Sequence, residues 1–152
     1  MALKEILAAD IKSAMIARDT LTLQTLQGVK TAIQYEEVAK NVRETGLDDA
    51  AIEAIFVRES RKRDEAADLF DMGGNAEAAA KERAEKEILQ KYLPTPLSED
   101  DIRGLVNDAI VQTGATEVKD MGRVIGAVKG KAGNSADGAI VARLVKEALA
   151  ST

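Results

Sequence analysis

The chain contains no cysteine and no histidine, and these two absences exclude several classes of function. Without cysteine there is no disulfide, no thiolate metal site and no cysteine nucleophile. Without histidine there is no Ser-His-Asp triad, no histidine general base and no histidine-ligated zinc. We therefore predict no catalytic residue, no cofactor and no metal site.

Aromatic residues and prolines are also scarce, which constrains the fold. Aromatics make up 3% of the chain and there are only two prolines, whereas 45% of the residues are hydrophobic. A core built from such a sequence must consist of Ala, Val, Ile and Leu, and abundant alanine favours helices. An all-α protein of one or two small domains is expected.

No strongly apolar segment opens the sequence. MALKEILAADIK carries four charges, at Lys4, Glu5, Asp10 and Lys12, and has neither a signal-peptide core nor a membrane span. We expect a cytoplasmic protein that does not bind membranes.

The net charge of −5 argues against broad, non-specific binding of nucleic acids. The charge is unevenly distributed, however. Between Lys119 and Lys146 there are six basic residues and two acidic ones. This locally basic region contains the glycine-rich stretch DMGRVIGAVKGKAGNSADG.

Four long helices are predicted in residues 1–93, the N-terminal helical domain. Asp19 and Asp48 are candidate N-caps, and Gly73-Gly74 should end the third helix. Apolar residues at helical spacing predict one buried face per helix. These faces are Leu3, Ile6, Leu7, Ile11 and Met15; Leu26, Val29 and Ile33; Ile52, Ile55, Phe56, Ala66, Leu69 and Phe70; and Ala80, Ala84, Ile88 and Tyr92.

LPTPLSEDD contains both prolines and marks the predicted domain boundary. Ser98 and Asp101 resemble a capping box for a helix that runs to about Thr113, with Gly114 as its C-terminal cap. Two shorter helices should follow, near 117–129 and 138–149. Residues 94–152 are thus predicted to form a small three-helix domain.

The densest basic cluster, VRESRKRDE, has two interpretations. On a helix it forms a solvated face with ion pairs four residues apart, each contributing about 0.2–0.5 kcal/mol. Alternatively, Arg58, Arg61 and Lys62 form a secondary basic face that contacts phosphates.

The glycine-rich stretch is open to two interpretations as well. Gly122 and Gly126 lie one helical turn apart, and each costs about 1 kcal/mol relative to alanine. Close approach by another helix would explain them, and so would close approach by a ligand. Gly130 and Gly133 could end this helix, and Asp137 could cap the next, leaving exposed N–H groups for phosphates.

Nucleotide binding of the Walker or GxGxxG kind is not expected, since both patterns are absent. A nucleic-acid ligand would be contacted through its backbone and shape, because no aromatic residue follows Tyr92 for base stacking.

Several segments together resemble the GatB/YqeY family, specifically its stand-alone YqeY-like proteins. They are LKEILAADIKSAMIARDTLTLQTLQGVKTAI, RESRKRDEAADLF, KYLPTPLSEDDI, TGATEVKDMGRVIGAVKGKAGNSADG and VARLVKEAL. The resemblance covers nearly the whole chain. Its tail is similar to the C-terminal domain of the GatB subunit of a glutamine-dependent tRNA amidotransferase, which helps to hold the folded elbow of tRNA.

The resemblance implies a non-catalytic accessory protein that binds tRNA or associates with a tRNA-charging or amidotransferase enzyme. The expected RNA-binding residues are Gly122, Arg123, Gly126, Lys129, Lys131, Gly133 and Asn134. The family often has a basic residue at the place of Asn134, so the phosphate contact is weaker there.

Two alternatives remain open: a helical protein-interaction module formed by the long N-terminal helices, and the family label of carbon–nitrogen ligase with glutamine as amido-N-donor. The chain lacks the GatB catalytic domain, and so we expect no catalysis of its own.

Overall fold

The computed structural model describes residues 2–151, and these residues form seven α-helices, two 3₁₀ turns and no strand. The all-α prediction is confirmed. The helices are α1 Leu3–Ala17, α2 Thr20–Ala39, α3 Asp49–Met72, α4 Ala76–Gln90, α5 Glu99–Thr113, α6 Met121–Ala132 and α7 Gly138–Ala150. The 3₁₀ turns are Val118–Asp120 and Gly133–Ser135.

The helices group into two compact units, one ending at Leu93 and the other beginning at Pro94. Each unit has its own apolar core. Within residues 2–151, no helix has the combined length and apolar character needed to cross a membrane.

In the first unit, α1 to α4 enclose a core made mostly of aliphatic side chains. Its buried members are Leu7, Ile11, Leu26, Val29, Ile33, Ile52, Ile55, Phe56 and Leu89. The ring of Tyr92 stacks on Phe56 with centroids 4.7 Å apart, and its hydroxyl donates to the Asp10 carboxylate. Burial, together with this hydrogen bond, raises the pKa of Tyr92.

The predicted N-caps of α2 and α3 are confirmed. The Asp19 carboxylate accepts the Thr22 N–H at 3.1 Å, and the Asp48 carboxylate accepts the Ala51 N–H at 2.8 Å. Each cap satisfies an N–H group that the first helical turn leaves without a backbone acceptor. Gly73 follows the last residue of α3, as predicted.

Some predicted core positions near helix ends are wrong. Met15 is 56% exposed, and Ala14 is buried in its place. Leu69 and Phe70 are 67% and 37% exposed, while Ala67 is buried. The buried alanines show that both helices are still packed at this level, and the three exposed side chains lie on sides that the neighbouring helices do not cover.

The buried face of α4 also differs from the prediction. Ala79 and Leu89 are buried, whereas Ala80 is exposed and Ala84 is half-buried. Each buried residue is a neighbour in sequence of a predicted one: Ala79 precedes Ala80, and Leu89 follows Ile88. Only Ile88 and Tyr92 of the predicted set pack against the core. Because so many residues of α4 are alanine, its apolar pattern is too uniform to fix the direction of the face.

In the second unit, α5, α6 and α7 surround a core of small aliphatic side chains. Its buried members are Ile102, Val106, Ala109, Ala115, Val124, Val128, Val141, Leu144, Val145 and Leu149. The predicted capping box of α5 is confirmed, since Ser98 accepts the Asp101 N–H and Asp101 accepts the Ser98 N–H. Gly114 ends α5 with a left-handed φ of 68°.

Candidate nucleic-acid interface

The orientation of α6 is set by two valines, Val124 and Val128, which are both fully buried. The opposite side of the helix therefore points outward, and three glycines lie on it at four-residue spacing. We call Gly122, Gly126 and Gly130 the glycine face. Each is exposed, and a Cβ added to any of them would meet no atom within 4 Å.

This geometry removes one of the two interpretations of the stretch. Within the second unit, no helix packs on the glycine face, so the glycines do not serve helix–helix packing in this unit. The expectation that Gly130 ends the helix is wrong as well, because α6 continues to Ala132. Gly133, with a φ of 56°, is the residue that ends it. The continued four-residue spacing could have identified Gly130 as part of the same face.

Arg123 lies on the exposed side of α6, and two hydrogen bonds hold its guanidinium in place. Its guanidinium donates to the Thr113 carbonyl at 3.3 Å and to the Asp120 carboxylate at 2.9 Å. Asp120 also accepts the N–H groups of Thr116 and Glu117, at 3.0 and 3.2 Å. The hydrogen bond from Thr116, followed by those from Arg123 and Glu117, lowers the pKa of Asp120 to about 2.

Lys129 extends from α6 across the first residue of α7. A Cβ placed on Gly138 would lie 3.5 Å from the Lys129 Nζ, so the absence of a side chain there leaves room for the lysine. The expectation of free N–H groups at this helix start is wrong for Ala139 and Ile140. Both donate to the Asp137 carboxylate, at 2.8 and 3.2 Å. Lys129, which is exposed, thus supplies the basic group beside the start of α7.

The remaining predicted residues do not join the glycine face. Lys131 follows Gly122 by nine residues, which places it half a turn away around the helix. It lines a shallow depression with Leu97, Asp101 and other residues of the second unit. Asn134 is half-buried in the 3₁₀ turn after Gly133. The structure therefore brings together Gly122, Arg123, Gly126 and Lys129, and separates Lys131 from them.

The secondary basic face lies on α3, where Arg58, Arg61 and Lys62 are all exposed. The ion-pair interpretation is confirmed by Arg63, whose guanidinium pairs at 2.7 Å with Glu59, four residues earlier. Lys62 pairs with the same carboxylate from three residues away, at 3.2 Å. The sequence interpretation did not identify that Arg63 is half-buried or that it reaches Glu85 of α4, at 3.4 Å.

The described residues form an all-α protein whose second unit exposes the glycine face of α6. Comparison with known families then identifies it: the chain belongs to the YqeY family, described as Yqey-like protein, which matches residues 4–149. The resemblance stated from the sequence motifs is thus confirmed at the level of the family.

Two curated fungal proteins are similar to part of the chain. Altered inheritance of mitochondria protein 41, mitochondrial, from Lachancea thermotolerans is 30% identical over 87 residues, which are 57% of this chain and 46% of the relative. The protein of the same name from Eremothecium gossypii is 29% identical over 87 residues, with the same shares. The chain spans about half the length of these curated relatives.

Proposed function

We propose that the protein is a non-catalytic accessory factor that binds folded tRNA through the glycine face of α6. The observation that carries the proposal is the uncovered glycine face, Gly122, Gly126 and Gly130, with Arg123 and Lys129 beside it. A tRNA-charging or amidotransferase enzyme is the second partner that we propose.

The energetics of glycine support this assignment. An interior helical glycine costs about 1 kcal/mol relative to alanine, and no contact within the second unit compensates for that cost at Gly126, which lies in the middle of α6. A helix without side chains on one face allows a sugar-phosphate backbone to approach its main chain closely. Such contacts recognise backbone and shape rather than base sequence.

The adjacent charges are suited to phosphate. Arg123 uses two of its N–H donors within the protein, and guanidinium carries five, so donors remain for a phosphate oxygen. Lys129 adds an exposed ammonium. The likeness of the tail motif DMGRVIG to the tRNA-holding tail of GatB supports the same ligand.

The first test separates stability from binding by filling the glycine face. Gly126→Leu should raise the free energy of unfolding by about 0.5–1 kcal/mol through helix propensity, while it weakens tRNA binding by steric exclusion. Gly104→Leu is the matched control, since Gly104 is also helical, exposed and free of neighbours within 4 Å. It should stabilise the protein equally and leave binding unchanged. Chemical unfolding and gel-shift titration with a folded tRNA transcript measure the two effects.

The second arm of the test concerns charge. Lys129→Glu should weaken tRNA binding. It should also reduce the slope of log affinity against log salt concentration by about one, because one phosphate contact is lost. Lys146→Glu makes the same charge change at an exposed position of α7 and should have a smaller effect. If both lysine variants lose affinity equally, or if Gly126→Leu binds tRNA as the unmodified protein does, the proposed interface is wrong.

A further inference from the structure

The last third of α3 and most of α4 form a hairpin at one end of the first unit. Apolar core residues of α3 end at Phe56, and those of α4 begin at Ile88. Glu59 and Ser60 are still buried, and α3 then continues for twelve residues, about 18 Å at the helical rise, to Met72. We call residues 64–87 the distal hairpin.

The distal hairpin has a thin interface between its two helices. Its fully buried side chains are Ala67 and Ala79, one from each helix. Ion pairs reinforce this seam: Lys86 with Asp64 at 2.6 Å, and Arg83 with Asp68 and Asp71. Two helices joined in this way leave apolar residues on their outer sides uncovered.

An apolar stripe remains exposed at the end of α3. Ala66, Leu69 and Phe70 follow the i, i+3, i+4 spacing of a helix face that packs against another element. Leu69 is 67% exposed and Phe70 37%. Met72 is 84% exposed but lies about 200° around the helix from Phe70, so it does not belong to this stripe. Isolated exposed apolar residues are common, whereas an adjacent large pair that continues an apolar face marks a candidate contact surface.

The charge around this stripe identifies the kind of partner. Residues 64–87 contain eight acidic and three basic residues, a net charge of −5, whereas residues 58–63 just before them contain four basic residues and one acidic. Such a surface repels phosphates, which argues against RNA and anionic lipid. It also repels a second distal hairpin, which argues against a symmetric self-contact here.

We propose that the distal hairpin is a docking surface for a helix of a partner protein, with an apolar face bordered by lysine or arginine. The partner's apolar residues pack on Leu69 and Phe70, and its basic residues face the carboxylates around them. A third helix would give the two-helix hairpin the cover that its outer apolar stripe lacks. This function is separate from the tRNA interface, which lies in the other unit.

The experiment uses two synthetic peptides of about 20 residues, long enough to form a helix. Both carry leucine at the same i, i+3, i+4, i+7 positions, and the other positions are lysine in one peptide and glutamate in the other. Each is labelled with fluorescein and titrated with the full chain at physiological ionic strength, with anisotropy as the measurement. We expect saturable binding of the lysine peptide, at least about tenfold tighter than that of the glutamate peptide.

Variants locate the binding. Leu69→Ser/Phe70→Ser should weaken the lysine peptide about tenfold, because the apolar anchors are removed. Met15→Ser/Ile16→Ser is the matched control: it changes an adjacent pair, 56% and 74% exposed, at the end of another helix of the same unit. It should bind as the unmodified chain does. Circular dichroism establishes that both variants keep their helices.

A charge variant keeps the proposal testable even if the apolar substitutions disturb the hairpin. Glu65→Gln/Glu77→Gln should weaken the lysine peptide several-fold at low salt and much less at high salt. Affinity for tRNA should be the same in all these variants, which separates this proposal from the proposed function.

Four outcomes would overturn the docking proposal. The first is equal binding of the two peptides, or no saturable binding of either, and the second is an equal loss of affinity in the Met15/Ile16 control. The third is self-association of the chain that the Leu69/Phe70 variant abolishes, which would identify a second copy as the occupant. The fourth is binding to phosphatidylserine vesicles that the same variant abolishes, which would identify a lipid surface.

Discussion

At the scale of single residues, Asp120 fixes the entrance to α6. Its carboxylate accepts two backbone N–H groups, from Thr116 and Glu117, and the guanidinium of Arg123. These bonds favour the charged form and lower the pKa of Asp120 from 3.8 to about 2. Because Arg123 is also bonded to Thr113, Asp120 holds together the end of α5 and the start of α6.

The lowered pKa of Asp120 determines how its contribution depends on pH. A carboxylate whose pKa is lower in the folded state stabilises the protein above the unfolded pKa, and this stabilisation is lost as the pH falls toward the folded pKa. Asp120→Asn should therefore be less stable than the unmodified protein at pH 7. The difference should shrink between about pH 4 and pH 2. Urea unfolding of both proteins across this range measures it, and a difference that stays constant with pH would contradict the assignment.

At the scale of elements, α3 and α4 are joined by a network around Glu59, which is 8% exposed. Burial acts to raise the pKa of Glu59, but hydrogen bonds from Arg63 and Lys62 outweigh it, so its pKa lies below its usual value. Arg63 also reaches Glu85 of α4 at 3.4 Å. Arg63 thus connects Glu59 to α4, whereas the ion pair of Lys62 with Glu59 lies within α3.

Two substitutions distinguish these cations. Arg63→Met should lower the free energy of unfolding by about 1–3 kcal/mol, because it leaves buried Glu59 without its main partner. Lys62→Met removes an exposed pair and should cost less than about 1 kcal/mol. Urea unfolding provides both values, and a double-mutant cycle with Glu59→Gln should show strong coupling only for Arg63. Equal losses in the two variants would show that Arg63 has no special role.

The starts of α2, α3 and α5 could be predicted from the sequence because caps are local interactions. Asp19, Asp48 and Ser98 each bond to an N–H group three residues further along the chain. Their signature therefore lies within a few residues of sequence. The left-handed turn at Gly114 is equally local.

The direction of the helix faces could be predicted only where a neighbouring helix covers them. Leu26, Val29 and Ile33 are buried as predicted, because α2 lies within the core. Leu69 and Phe70 continue the same kind of apolar pattern and are exposed, because the neighbouring helices do not cover that side of α3. Apolar spacing identifies a face that can be buried, but the arrangement of the packed helices decides whether it is.

The candidate site shows the same division. Gly122, Gly126 and Lys129 share one side of α6, which follows from helical spacing alone. The separation of Lys131 from Gly122 follows from the same spacing. The position of Lys129 beside Gly138 depends on where α7 packs, and this long-range arrangement leaves no local pattern in the sequence.

At the scale of the whole molecule, the two cores share no residue. The second unit contains all ten of its buried core residues within α5, α6, α7 and the turn after α5. Its N-terminal extension belongs to it as well. Leu97 packs against that core, and its N–H donates to the Ser135 carbonyl at 2.8 Å. That each unit folds independently remains a prediction from the sequence.

A fragment of residues 94–152 should therefore fold alone, since domains of about 55–65 residues with a complete core do so. We expect helical circular dichroism and one cooperative thermal transition, together with retention of tRNA binding. A fragment starting at Glu99 loses Leu97 and the Ser98 cap, and should be less stable by about 2 kcal/mol. If the longer fragment melts without a cooperative transition, the second unit needs the first in order to fold. If the two fragments are equally stable, neither the hydrogen bond from Leu97 to Ser135 nor the Ser98 cap contributes to the stability of the second unit. The boundary of that unit then lies at the start of α5 rather than at Pro94.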